Sequence, residues 1–337
     1  MKLFSFVFVL VIASTLFAGA QTAADYKITK TFHIASTAGW DYLAVGLGNN
    51  RLYVSHGTQV NILDATTGDS VGVIPNTTGV HGIAFDKKLN KGYTSNGRLN
   101  TITVFDLTTN AVLSQIPVGM NPDWIMYEKF SDRIITCNGK SSDLTLVDPA
   151  TEKVVATIPA GGRPETAVSD TKGHLFLNVE DKNEIAVIDL KTNTVTNRYP
   201  LGAEGPTGLD MDYATNRLFV GCDEKLIIMD ATNGKIVDSI PIGKGCDAVA
   251  FDFKTKEIYA SNGAAATLSI VKEESADKFT KIADVPTKKG AKTMAVDKKT
   301  NTIYLPTTDY EPLQAGEKRP KMTPGTFQIL VLTKSVN

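Results

Sequence analysis

Cysteine is scarce: Cys137, Cys222 and Cys246 are the whole complement of the 337 residues. No CxxC or CxxCH occurs, which argues against a zinc ribbon, a thioredoxin-type redox pair and covalent haem. An excess of one charge is missing as well. Lys and Arg number 35 against 36 Asp and Glu, for a net charge of −1, so no broad basic strip for duplex DNA is expected. Beyond residue 20 no apolar run approaches membrane-spanning length. The one long apolar run, Leu3 to Phe17, follows Met1-Lys2 and ends at Ala18-Gly19-Ala20, an A-x-A cleavage pattern. It is too short to span a bilayer comfortably and no Cys follows it to carry a lipid. Residues 1–20 are therefore expected to be a cleaved signal peptide. The remaining chain, 21–337, is expected to be exported to the periplasm or the extracellular space.

Glycine, with 27 residues, points to many turns, and the turns recur at a fixed period. Apolar runs ending in Asp64, Asp106, Asp148, Asp189 and Asp230 stand 41 or 42 residues apart. A second series closes on Asp86, Glu128, Asp170, Asp212, Asp252 and Asp297 at similar spacing. Each unit divides into four short strands, as in GIAF (82–85), GYTS (92–95), TITVFD (101–106) and AVLSQIPVG (111–119). The acids of the first series precede Thr and Gly or Asn, the chemistry of an Asx turn, so they are read as turn-makers and not as catalysts. Asn110, Asn193, Gly68 and Gly234 stand where the hairpin needs positive φ.

Seven innermost strands can be counted, starting near Leu43, Gly82, Trp124, Thr166, Gly208, Ala248 and Thr293. The chain ends on FQILVL (327–332) without an outermost strand for the last unit, and YKITKTFHIA (26–35) at the start has the matching register. The prediction is a single all-β domain over 21–337: a seven-bladed β-propeller of four-stranded blades. Its ring is closed by the N-terminal strand completing the last blade, which removes the free edge. RLYVSHG, GYTSNG and EIYASNG, with VIDL-type strands and IPVG or IPIG ends, resemble the YVTN-family (YncE-like) seven-bladed propellers over nearly all of 26–337. That resemblance is specific for the fold and weak for activity.

Function is sought where the residues stop repeating. The links between blades and the loops after each second strand share one face. The residue after each link turn should point at the mouth of the central channel: Asp41, His81, Asp123, Glu165, Thr207, Asp247 and Lys292. The facing loops add His56, Asn96, Asn138, Glu180, Asp181, Cys222, Asp223 and Asn262, and the links carry Trp40 and Trp124. Two histidines and several carboxylates in one funnel suit a divalent metal or a polyhydroxylated or cationic ligand. Equally, they suit a water-filled tunnel whose polar groups only hold neighbouring loops. His33 and His174 are expected on the surface.

Cys222 and Cys246 fall on adjacent blades of the same face, so a disulfide between them is considered, with Cys137 left free. The last blade carries a long insertion, Tyr310 to Gly325, with Lys318, Arg319 and Lys321, read as a lid over the mouth. Blade six has a smaller one, EESADK (273–278), read as a longer turn. Two motifs are set aside. Gly68-Asp69-Ser70-Val71-Gly72 matches a nucleophile elbow but joins two strands, not a strand to a helix. The DATTG and DATNG turns resemble quinoprotein repeats but lack their docking tryptophan.

The expectation is therefore an exported, monomeric, non-enzymatic propeller that binds a small-molecule or protein partner at the channel face. No cofactor is called for beyond a divalent metal at that face. The alternative is a metal-dependent lactonase- or lyase-like enzyme with its site at the channel mouth. Nucleic acid, stacked on Trp40, Tyr42, Trp124 or Tyr310, is the less favoured partner.

Overall fold

The computed structural model describes residues 26–35, 39–314, 317 and 320–334. The leader read at 1–20, and Lys318 and Arg319 of the insertion, lie outside the described residues. The described chain folds as seven four-stranded antiparallel sheets in chain order. Their innermost strands begin at Trp40, Val80, Pro122, Pro164, Gly208, Cys246 and Ala295. These strands pack on one another around the axis, and the blades are numbered one to seven from Trp40.

The burial pattern of each strand follows its radial position. Second and third strands, such as Arg51–His56 and Gln59–Asp64, are buried almost throughout because neighbouring blades cover both faces. The outermost strands alternate or stay exposed, as Thr194–Pro200 does. Seven apolar cores fill the seven gaps between blades. One packs Leu218, Val220 and Cys222 of blade five against Ile185 and Val187 of blade four. Another packs Phe219 of blade five against Phe251 and Ile258 of blade six. Stability is thus spread around the ring.

The turn acids act as read from the sequence. Asp64 Oδ1 accepts the amides of Thr66 and Thr67 at 2.8 and 2.9 Å, and Asp106 Oδ1 those of Thr108 and Thr109 at 2.9 and 2.7 Å. Those backbone bonds hold both carboxyls below the usual range. Asn110, Asn193, Gly68 and Gly234 all have positive φ. In blade six the insertion prolongs a hairpin, Thr267–Ser275 with Lys278–Pro286, and Arg217 of blade five grips its tip through Ala276 O and Asp277.

Ring closure also holds. Tyr26–His33 pairs antiparallel with Gln328–Lys334, from Tyr26 opposite Lys334 to His33 opposite Gln328. The Tyr26 hydroxyl donates to Glu257 Oε2 at 2.9 Å and meets the Tyr259 hydroxyl at 2.8 Å, both in blade six. The first strand therefore completes blade seven and is locked to its neighbour.

Candidate functional site

Each link enters its inner strand through a tight turn, and the residue after that turn is fixed by its backbone. Hydroxyls of one blade reach carbonyls of the next. Thr293 Oγ1 donates to Asp41 O at 2.6 Å and Thr207 Oγ1 to Cys246 O at 2.7 Å. Ser95 Oγ does the same for Asp123 O and Ser261 Oγ for Lys292 O. Ser55 Oγ also accepts the Asp41 amide at 2.9 Å. A mouth residue is thus held by its own blade and by a neighbour.

Five of the seven expected mouth side chains join into one charged chain. Lys292 Nζ lies 2.6 Å from Asp247 Oδ2 and 3.5 Å from Asp41 Oδ1. Asp41 Oδ2 in turn lies 2.6 Å from His81 Nδ1, and His81 Nδ1 lies 3.7 Å from Asp123 Oδ1. The sequence Asp247, Lys292, Asp41, His81, Asp123 therefore runs through blades six, seven, one, two and three. Glu165 of blade four continues it. Its Oε1 accepts from Arg163 Nε at 3.0 Å and Nη2 at 2.8 Å, and the same guanidinium pairs with Glu180. Thr207 spends its hydroxyl on the backbone, so blade five contributes no charge at this position.

This environment sorts the carboxylates. Burial alone would raise Asp41, but Lys292 and His81 outweigh it and hold the acid below its ordinary value. Asp123 meets His81 only at 3.7 Å and is pushed up to about 6 by burial and by the charge of Asp41. Burial, the Asp123 charge and the bond to Glu180 push Glu165 well up from its usual value despite Arg163. Asp247 is raised by burial, with Lys292 offsetting only part of it. Burial works to lower His81, yet the bond to Asp41 and the nearness of Asp123 leave it above its usual value. The Tyr42 phenol is raised by burial and then by Asp247, Asp41, Asp123 and Glu165, the four mouth carboxylates.

Two clefts open beside this chain. One, of about 550 Å³, is lined by Trp40, Asp41, Gly57, Gly79, His81, Arg98 and Asn121. The other, of about 470 Å³, lies between blades six and seven against Asp247, Lys292, Gly263, Ala264, Gly290, Tyr310 and Pro320. Tyr310 and Pro320 of the insertion line this cleft beside Asp247 and Lys292. The insertion is pinned at its base by Lys288 with Asp309 and by a bridge between Tyr310 and Met322.

Several expected site residues do other work. His56 is 1% exposed, stacks on Phe327 at 4.4 Å and meets Asn61 Oδ1 at 3.1 Å, so its ring is packed in the protein interior. Asp181 accepts the Arg163 amide at 2.6 Å and Asp223 the Gly245 amide at 3.0 Å. A sharp link leaves an N–H needing an acceptor, and these two acids supply it. Trp40 stacks on Phe327 at 5.3 Å and Trp124 meets Tyr42 edge-on at 5.0 Å. The considered disulfide is not formed, and all three thiols are free and buried. Strand alternation explains it: Cys222 points with Leu218 and Val220 into the core shared with blade four. Cys246 lies over Gly221, on the blade-six side. His33 and His174 are exposed as expected.

Arg163 and the position of the Tyr42 hydroxyl were not legible from sequence. The one signal was Arg163 itself, a charge directly before Pro164 in a link where other blades place Gly, Asn or small residues.

No protein-family model and no curated protein matches the chain. Among solved structures it is similar to a chain of the Kuenenia stuttgartiensis hydrazine synthase, at 14% identity and TM-score 0.70, covering 81% of this chain and 94% of that one. It is also similar to a chain of a mitotic checkpoint complex, at 12% identity and TM-score 0.73, covering 90% and 95%. At such identities the likeness establishes the seven-bladed propeller and nothing finer.

Proposed function

We propose that this protein is an exported binding propeller whose ligand is a small polar molecule, polyhydroxylated or cationic, taken at the acidic mouth of the channel. The observation that carries the reading is the chain from Asp247 to Asp123, in which side chains from five blades converge on one opening. A repeat protein can satisfy such positions with Thr, as blade five does, so this density of part-buried charge is not needed for folding. The blade six and seven cleft adds a lining of Gly263, Ala264, Gly290 and Tyr310 beside Asp247 and Lys292.

The test is calorimetric titration with polyol, sugar and polyamine panels against the wild type, Asp247→Asn and Tyr310→Ala. Asp277→Asn, at the remote hairpin tip, serves as control. Binding weakened at least tenfold by the first two variants and unchanged in the control supports the reading. Equal binding in all four sinks it. Export is tested by N-terminal sequencing of protein recovered from the cell envelope, which should begin near Gln21.

The second reading, a metal-dependent enzyme, draws on one specific observation. Donor atoms of Asp41, His81 and Asp123 all lie within 4.8 Å of one another. Glu165, whose carboxyl is raised by burial and by the Asp123 charge, would then be the proton donor on the adjoining blade.

A further inference from the structure

We propose that Asp41, His81 and Asp123 form a mononuclear divalent-metal centre of the zinc class at the channel mouth, with its remaining positions open to the cleft lined by Trp40 and Arg98. The inference rests on reading the mouth as the binding site, and it names a different ligand.

The donor set is one imidazole and two carboxylates, one from each of three consecutive blades. An imidazole ligand selects zinc-like ions over magnesium or calcium, which prefer all-oxygen shells. Ligands at about 2.1 Å in a tetrahedral shell stand about 3.4 Å from one another. The observed separations from His81 Nδ1, 2.6 Å to Asp41 Oδ2 and 3.7 Å to Asp123 Oδ1, lie on either side of that value. The third pair, Asp41 with Asp123, lies within 4.8 Å, so side-chain rotation would have to close the set, while the backbones of both acids stay pinned by Ser55, Ser95 and Thr293.

One further observation points to a cation. The Asp123 carboxylate accepts no hydrogen bond among the described residues, and its nearest charged partner is His81 at 3.7 Å. Asp41 also faces the Lys292 ammonium at 3.5 Å, so a bound dication would share that carboxylate with a like charge. A metal would join both carboxylates to Nδ1, where the Nδ1 proton now reaches only Asp41. On loading, the dication replaces the proton on Nδ1: from the imidazolium that proton leaves to solvent, and from the neutral ring it is lost from Nδ1 while Nε2 takes one up, with no net release. Lys292 remains between Asp41 and Asp247 as a positioning residue. On the opposite side, the Nε2 edge of His81 lies over Gly97, where a Cβ would come within 2.7 Å of Nε2, so Nδ1 is the nitrogen turned to the carboxylates.

The test uses full-length, chelator-treated protein titrated with Zn²⁺ by calorimetry and with Co²⁺ by visible absorption. One site of micromolar or tighter affinity is expected, with the intense visible bands of a low-coordinate cobalt centre. His81→Ala and Asp123→Asn should each weaken it about 100-fold or more. His174→Ala should leave it unchanged, because His174 with Asp170 at 2.8 Å is a surface pair able to take up metal adventitiously. Asp123→Asn is nearly isosteric, so it stands as the test should His81→Ala fail to fold. Absence of saturable binding, or binding that follows His174, overturns the proposal. Retention of polyol or amine binding by metal-free protein in that event leaves the ligand reading standing and sinks only the metal.

Discussion

Replacing Asp123 by Asn should stabilise the metal-free protein at neutral pH, and the size can be worked from its surroundings. Its carboxyl is raised from 3.8 to about 6 by burial and by Asp41. A group whose folded value lies above its unfolded one binds more protons when folded. Stability is therefore lost as pH rises from about 4 through about 6, and the loss is complete above that window. Two units at about 1.36 kcal/mol each give about 3 kcal/mol, and water reaching a side chain that is 20% exposed brings this nearer to about 2. For a domain of this length, about 2.1 cal/mol/K of unfolding entropy per residue converts that to about 3 °C in Tm. The assay is thermal and urea unfolding of wild type and Asp123→Asn in chelator at pH 8 and pH 4. A gain of about 3 °C at pH 8 that vanishes at pH 4 is expected, since Asn does not titrate. A loss at pH 8, or the same gain at both values, refutes the reasoning. Stability gained together with metal affinity lost is the mark of a site held for binding and not for folding.

Three more perturbations test the frame. Gly92→Ala places a methyl 2.1 Å from the fully buried Phe105 ring and should cost about 1–3 kcal/mol in urea unfolding, a loss under about 0.5 contradicting the packing. Deleting residues 26–33 should leave the Gln328–Lys334 edge bare and give aggregated protein, whereas Tyr26→Phe, which removes only the hydroxyl shared with Glu257 and Tyr259, should fold with about 1–2 kcal/mol less stability. The thiols should be silent to a disulfide reagent in native protein and total three after unfolding. Burial pushes Cys222 up to about 12 and the other two well above the ordinary range. A rapidly reacting native thiol, or only one thiol after unfolding, would overturn that placement.

The parts of the protein that recur were decided by local chemistry and are legible in the sequence. Asp64 and Asp106 make the same Asx turn because a carboxylate two residues before an amide needs nothing from afar. Strand order within each blade follows from short hairpins, and the unfilled outer strand of blade seven demanded the segment from Tyr26. The same repeat told which residue follows each link turn, and so named Asp41, His81, Asp123, Glu165, Asp247 and Lys292 as mouth residues.

What those residues do to one another was settled only by the tertiary structure. Lys292 and Asp41 meet because the ring closes, and Arg163 reaches both Glu165 and Glu180 because a loop folds back over its link. His56 stands in a facing loop by sequence, yet the Phe327 ring, near the other end of the chain, draws it into an aromatic stack. Cys222 and Cys246 share a face of the ring but lie on opposite sides of one strand. Sequence periodicity reports which side of its own strand a residue takes. The separation of two side chains on different blades depends instead on blade tilt, ring closure and rotamer, which no single repeat contains.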